Sequence, residues 1–361
     1  MKILQVITSL RTGGAESLIA QIVPRMIADG LDVEVALFDG TDTTFRRRLE
    51  AAGVKIHTFA VGGSVYNPLH IFRLRRLMRR FDIVHTHNTA PQLFAAIGSV
   101  LCSVVLCTTE HTTSNRRRRW KWYAAVDRWM YSRYRHIICI SKKAEDNLRD
   151  FIGSDSDKIS TVNNGIDTAA YRDAAPSPDL RNGLSDDARI ITMVAGFRWE
   201  KDQPTLIRAV SRLPERFHLF LVGDGVNRPA CEQLAADLGA ADRVHFLGLR
   251  TDVPSILRAS DYVAMSSHFE GLSLSSLEGM AAGRPMLASD VDGLREVVGG
   301  AGVLFPHEDA EALADAVSRL DADPALYART AEACAARAAD YDISHMVAGY
   351  EQVYHTIAPD K

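Results

Sequence analysis

Short apolar runs that fit β-strands alternate with helical patterns along almost the whole chain, and this alternation narrows the fold more than any other feature. Lys2–Ile7, Val33–Phe38, Lys55–Phe59, Asp82–Thr86, Val104–Thr109 and His136–Ile140 read as strands, and Glu16–Ala28 reads as a helix closing at Gly30. Thr168 to Asp179, with Pro176-Ser177-Pro178, breaks the pattern and is the expected linker. The alternation then restarts with strands at Arg189–Ala195, His218–Val222, Arg243–Leu247, Tyr262–Met265 and Met286–Ala288, and helices at Thr205–Leu213 and Arg228–Leu238. Strands joined by helices make right-handed crossovers and parallel sheets covered on both faces. The expectation is an α/β protein of two doubly wound, Rossmann-like domains facing a central cleft, and 361 residues suffice for two cores. Ile343–Tyr354 is an amphipathic helix with Met346, Val347, Tyr350 and Tyr354 near one face. Its pattern alone fits packing on the second domain as well as a return to the first.

Composition excludes several classes. A hydrophobic content of 47% with 24% charged residues is that of a soluble globular chain. No apolar run approaches the roughly 18–20 residues of a membrane helix. MKILQVITSL at the start lacks a cleavable signal pattern and reads as a first strand, so a cytoplasmic protein is expected. The five cysteines are odd in number and form no CxxC pair, which argues for reduced thiols and against a disulfide framework or a zinc site. Residues 1–171 hold 24 Lys and Arg against 16 Asp and Glu, whereas the remainder holds 18 against 29. The basic half is therefore expected to face an anionic partner.

Met265–Asp290 carries the densest chemistry. A short strand ends at Ser266-Ser267-His268-Phe269, a turn carries Glu270 and Gly271, and a helix is predicted from about Leu274 to Ala282. Ser273 suits its N-cap, and Gly283 with Pro285 suits its end. Such a strand–loop–helix points free N–H groups at a phosphate-bearing ligand, and the flanking carboxylates Glu270 and Glu278 can accept from sugar hydroxyls. Arg198 and Lys201, on the loop after the first strand of the second half, can neutralise a diphosphate, although a solvated charged loop explains them equally well. Leu221–Gly225 turns at the same edge. Gly13-Gly14 precede the first helix without a GxGxxG pattern, and a tight structural turn is their simplest reading. Val162–Asp167 is a turn sequence that the edge of a structural hinge explains as well as any functional reading does. His85, His87 and His111 end two strands, lack recognisable metal spacing, and fit polar contacts to a sugar better than zinc ligation. Arg116, Arg117, Arg118 and Arg119 run into Trp120 and Trp122, which suits a membrane surface or a lipid-linked anionic substrate. The Arg-rich stretches Arg46–Arg48 and Arg73–Arg80 read as solvated helix faces, and no nucleic-acid-reading module is present.

Together these residues, in this order, resemble the group 1 (family 4) retaining glycosyltransferases of GT-B architecture over nearly the whole chain. The carriers are Gly13–Glu16, Val84–Asn88, Cys139–Ser141, Asn164–Asp167, Arg198 with Lys201, Leu221–Gly225, and above all the Glu270–Glu278 pair in EGLSLSSLEGMAAGRP. The resemblance implies an acceptor-binding domain over 1–170, joined by a helix returning at about 341–361, and a donor-binding domain over 171–340. It implies a metal-independent hexosyltransferase without cofactor that moves a sugar from a UDP- or GDP-sugar to a glycan or lipid-linked acceptor in surface polysaccharide or glycoconjugate assembly. Catalytic roles fall to His111, Glu270, Arg198 and Lys201, and donor contacts to these last three with Gly14, Gly223, Gly271, Leu272, Ser273 and Glu278. Acceptor contacts fall to Gly13, Gly14, His87, Glu110 and His111. The expected location is the cytoplasm or the inner face of the cell membrane. Asp202 departs from the family's pattern, which commonly has glycine after the lysine, and Glu110 before His111 is a second departure. A nucleotide-sugar epimerase of the same architecture and a non-catalytic two-lobed sugar-binding protein are the alternatives.

Overall fold

The computed structural model describes residues 1–11, 13–111, 121–153 and 157–359. The chain divides into two compact units, Met1–Asn163 with Met346–Lys361, and Asn164–His345.

The first unit holds seven parallel strands: β1 (Lys2–Ile7), β2 (Asp32–Asp39), β3 (Ile56–Ala60), β4 (Ile83–His87), β5 (Val105–Glu110), β6 (His136–Cys139) and β7 (Ile159–Thr161). Their spatial order is β3-β2-β1-β4-β5-β6-β7. Central β1 is fully enclosed, with Ile3, Leu4, Val6 and Ile7 at 0% exposure, as expected of a strand covered on both faces. Gln5 in its middle is also at 0%, a polar exception among apolar neighbours. Met346 onward belongs to this unit, so the final helix, Ile343–Ile357, returns to the first domain. Its residues Met346, Val347, Tyr350 and Tyr354 are all buried.

The second unit holds β8 (Arg189–Val194), β9 (Phe217–Val222), β10 (Val244–Gly248), β11 (Tyr262–Met265), β12 (Met286–Ser289) and β13 (Val303–Phe305), in the order β10-β9-β8-β11-β12-β13. The stretch expected to be a linker belongs to this unit instead. Thr168–Arg172 is a helix, the Ser177 N–H donates to the Ser255 carbonyl at 2.9 Å, and Leu180 is buried. The chain crosses between the units at Asn163/Asn164 and again at His345/Met346, where Ile166 and Asp342 pair as a parallel bridge. Prolines mark irregular chain, and here that chain is packed rather than free. All five cysteines are free, and four are buried.

Candidate active site

In the second unit the strand order reverses between β8 and β11, so the loops leaving these two strands diverge and open a crevice at their carboxyl ends. The loop after β8 ends in a 3-10 turn, Trp199–Lys201. Asp202 then takes φ 47° and ψ 48°, the left-handed region that suits the glycine common at this position. Aspartate is among the few residues that tolerate it. The Asp202 carboxylate accepts from the Thr205 N–H at 3.4 Å and from its hydroxyl at 2.6 Å, capping the helix Gln203–Arg212. The departure from glycine thus keeps the loop's geometry and adds a cap. Asp202→Ala is expected to lower stability by about 1–2 kcal/mol and Asp202→Gly by only a few tenths, read as shifts of the urea midpoint.

The β8 and β11 loops are tied together. The Ser266 hydroxyl donates to the Asp202 carbonyl at 2.6 Å, and the His268 N–H donates to the Glu200 carbonyl at 2.9 Å. Across this tie the Lys201 ammonium meets Glu270 Oε1 at 2.5 Å, and the Ser267 hydroxyl donates to the same oxygen at 2.7 Å. Arg198 is exposed, and among the described residues its guanidinium makes no ion pair. Ser273 caps the helix Leu274–Ala281 by accepting from the Ser276 N–H, so the N-terminus of that helix lies beside half-buried Gly271 and Leu272. Glu278, on the same helix, faces the Tyr171 hydroxyl, and burial pushes its carboxyl up to about 7 against the opposing pull of that hydroxyl. Gly223 has φ 141°, and a Cβ there would lie 2.1 Å from the Ala195 carbonyl oxygen, so glycine lets the β8 and β9 loops stack. Two contributors escape a reading of the sequence. Tyr171 lies in the supposed linker. Gly293 presses the helix Asp292–Val298 onto the Glu270 loop so closely that a Cβ would stand 2.0 Å from the Gly271 oxygen.

In the first unit the order reverses between β1 and β4, and His111, His87 and the Gly13–Gly14 turn lie at that edge. Gly13 precedes the helix Gly14–Ala28, and a Cβ there would lie 2.1 Å from Glu16 Oε2. Glu16 Oε1 in turn accepts from the Asn88 amide at 3.3 Å. His111 is half-buried, and its Nε2 lies 2.9 Å from His87 Nδ1. His87 is fully buried behind it, with its Nε2 2.8 Å from Gln5 Oε1. Both His87 nitrogens are therefore occupied, which corrects its assignment to acceptor contact: it holds His111. Glu110 is buried as well, and its carboxylate accepts from the Tyr131 hydroxyl. The Gln5 amide continues to the Tyr354 hydroxyl at 2.8 Å, that hydroxyl to His85 Nδ1 at 2.5 Å, and His85 Nε2 to the Thr109 hydroxyl at 2.8 Å. Burial holds His85 down to about 3 and His111 to about 4, with His87 also well below the usual range, so all three rings are neutral at pH 7. Arg116–Arg119 and Trp120 lie outside the described residues, as does the Trp122 side chain.

Two open parallel sheets, each with a switch point at its carboxyl edge, define the two-domain Rossmann-like class called GT-B. The model of Glycosyltransferase Family 4 matches residues 12–170, and that of Glycosyl transferases group 1 matches residues 188–323. The chain belongs to the group 1, family 4 glycosyltransferases. It is 28% identical to the glycogen synthase of Mycobacterium tuberculosis (strain ATCC 25618 / H37Rv), over 91% of this chain and 81% of that one. It is 26% identical to the Escherichia coli UDP-Gal:alpha-D-GlcNAc-diphosphoundecaprenol alpha-1,3-galactosyltransferase, over 71% of each. Among solved structures, Anabaena Alr3699/HepE in complex with UDP superposes with a TM-score of 0.85 at 23% identity, covering 99% of this chain and all of that one. A glycosyltransferase from Rickettsia africae ESF-5 superposes with a TM-score of 0.86 at 18% identity, covering 100% of this chain and 99% of that one.

Proposed function

We propose that this glycosyltransferase moves a hexose from a nucleoside diphosphate sugar to a hydroxyl of a glycan or lipid-linked acceptor, with retention at the anomeric carbon. The observation that carries the reading is the joined pair of loops after β8 and β11, which pairs Lys201 with Glu270 and leads into the helix capped by Ser273 that carries Glu278. Negative charge grows on the departing phosphate oxygen, and the guanidinium and ammonium stabilise it where a metal ion otherwise would. Glu278 accepts from ribose hydroxyls. Lys201 and Ser267 both occupy Glu270 Oε1, which leaves Oε2 to accept from a hydroxyl of the moving sugar. A carboxylate so engaged orients the sugar and forms no covalent bond to it, and the incoming hydroxyl enters on the face the phosphate leaves. In this reading His111 is catalytic and accepts a proton from a reacting hydroxyl. The E. coli relative names UDP-galactose as donor and an acceptor linked to diphosphoundecaprenol, which supports a UDP-sugar and a lipid-linked acceptor here.

Incubating the protein with UDP- and GDP-sugars, with and without polyprenyl-diphosphate glycans, tests the reading. A transferase releases nucleotide rapidly only with acceptor, whereas conversion of donor to a new nucleotide sugar without acceptor identifies an epimerase. Melting temperatures unmoved by any nucleotide or nucleotide sugar support the non-catalytic alternative, because a ligand at about 100 times its Kd adds roughly 2.7 kcal/mol to the folded state.

A surface of the first unit supports a peripheral location on a membrane. No helix among the described residues is long and apolar enough to cross a membrane. Val61, Tyr66, Leu69 and Phe72 are 75%, 52%, 56% and 68% exposed, beside exposed Arg73, Arg76, Arg79 and Arg80. Residues 51–81 contain six Lys and Arg and no Asp or Glu. Exposed apolar side chains on and before the helix Leu69–Met78, followed by arginines, fit an anionic bilayer surface better than the solvated face expected of Arg73–Arg80. Leu69→Ser with Phe72→Ser is expected to weaken sedimentation with phosphatidylglycerol vesicles at least tenfold, since each buried side chain is worth about 1.5–3 kcal/mol. Sedimentation unchanged by that pair but lost on Arg116–Arg119→Ser moves the contact to the arginine–tryptophan stretch.

A further inference from the structure

The buried chain of hydrogen bonds behind His111 determines where each of its hydrogens sits. A primary amide at the centre of a sheet costs roughly 2–7 kcal/mol if left unpartnered, yet Gln5 stands there at 0% exposure. Parallel pairing of β1 with β4 and of β4 with β5 sets Gln5, His85, His87 and Thr109 near one another, and Tyr354 reaches them from the final helix. Gln5 lies 349 residues from the tyrosine it contacts.

Each neutral imidazole carries one N–H, and its position is decided by the partner of the other nitrogen. Gln5 presents Nε2 to Tyr354 and Oε1 to His87. The tyrosine oxygen therefore accepts from Gln5, and its single hydrogen goes to His85 Nδ1. That leaves the hydrogen of His85 on Nε2, where it meets Thr109. On the other side Gln5 Oε1 can only accept, so His87 carries its hydrogen on Nε2 and offers a lone pair at Nδ1. That lone pair accepts from His111 Nε2–H. The opposite polarity requires a turned Gln5 amide and places Nδ1–H on all three rings, the less favoured tautomer of a neutral imidazole.

We infer that Gln5 and Tyr354, acting through His87, hold His111 as the Nε2–H tautomer and leave its Nδ1 as the hydrogen-bond acceptor. They are positioning residues, and the final helix, by bringing Tyr354 back to the first unit, completes the ring setting. The consequence for turnover rests on the role of His111 proposed above; the tautomer does not.

The test is long-range ¹H–¹⁵N correlation on the full-length chain labelled with [¹⁵N]histidine, with the His111 signal assigned by its loss in His111→Asn. The wild type is expected to show the hydrogen of His111 on Nε2 alone. Tyr354→Phe, which keeps the ring and removes the hydroxyl, frees the Gln5 amide to turn and should yield both His111 tautomers. It should also lower kcat about tenfold, a modest part of what a positioned proton acceptor supplies, with donor KM unchanged. Nδ1–H on wild-type His111, or a single unchanged tautomer in Tyr354→Phe, overturns the inference. Mixed tautomers with unchanged kcat leave the wiring in place and remove His111 from the proposed reaction. Should Tyr354→Phe fail to fold, the wild-type spectrum decides alone.

Discussion

Lys201→Ala lowers kcat about 10²- to 10³-fold, the loss that follows removal of one preorganised donor to a developing oxyanion. The Lys201 side chain is 27% exposed and that of Glu270 11%, so the pair is held in partly dry surroundings where its field is strong. Arg198→Ala acts in the same direction, since its exposed guanidinium is free to take the diphosphate. Neither side chain is part of a core, so melting temperatures of both variants should stay within a few degrees of wild type. Lys201→Ala also leaves Glu270 without its cation, and Lys201→Ala with Glu270→Gln separates loss of the cation from repulsion between carboxylate and phosphate. Steady-state kinetics with saturating donor is the measurement. Wild-type turnover by both single variants would falsify the diphosphate assignment.

Glu278 is expected to make donor affinity depend on pH. Burial holds its carboxyl at about 7 in the folded chain, above the ordinary 4.5. A carboxyl raised in the folded state binds a proton that the unfolded chain has already lost, so stability falls as pH rises from about 4.5 to about 7 and is level above that. The span is worth about 3 kcal/mol. Ribose hydroxyls donate to the ionised form, so donor binding works against the same proton. Affinity for a nucleotide sugar, whose diphosphate diester does not titrate in this range, should rise up to tenfold per unit from pH 6 to 7 and flatten above. Glu278→Gln should bind donor more weakly at pH 8, lose this dependence, and gain stability relative to wild type at high pH. Calorimetric titration across pH 6–8 checks the first two and urea unfolding the third. Equal pH dependence in wild type and Glu278→Gln counts against the ribose role.

Much of this was legible without coordinates. Strand alternation placed eleven strands within a residue or two of their observed bounds, because parallel strands covered on both faces demand continuous apolar runs. The helix beginning at Leu274 and its Ser273 cap were legible for a local reason: capping chemistry lies within four consecutive residues. Strands β7 and β13 were missed because three residues at a sheet edge carry no period. Pro176-Ser177-Pro178 suggested a free linker, but proline reports only the lack of regular structure, and here the Ser177 N–H is paired with Ser255. Tyr171 was hidden for the same reason, since it lies in that stretch and meets Glu278 more than a hundred residues away.

The sequence by itself determined the class: two runs of alternating strand and helix, a Glu270–Glu278 pair on a capped helix, and two cations on the loop after β8. Each of these is local, set by periodicity or by residues within a turn or two of one another. Tertiary structure alone decided that His87 faces inward, that Glu270 is shared by Lys201 and Ser267, and that the last helix delivers Tyr354 to Gln5. Those contacts join residues distant in the chain, and which polar groups must pair becomes defined only when the sheet closes over them and excludes water.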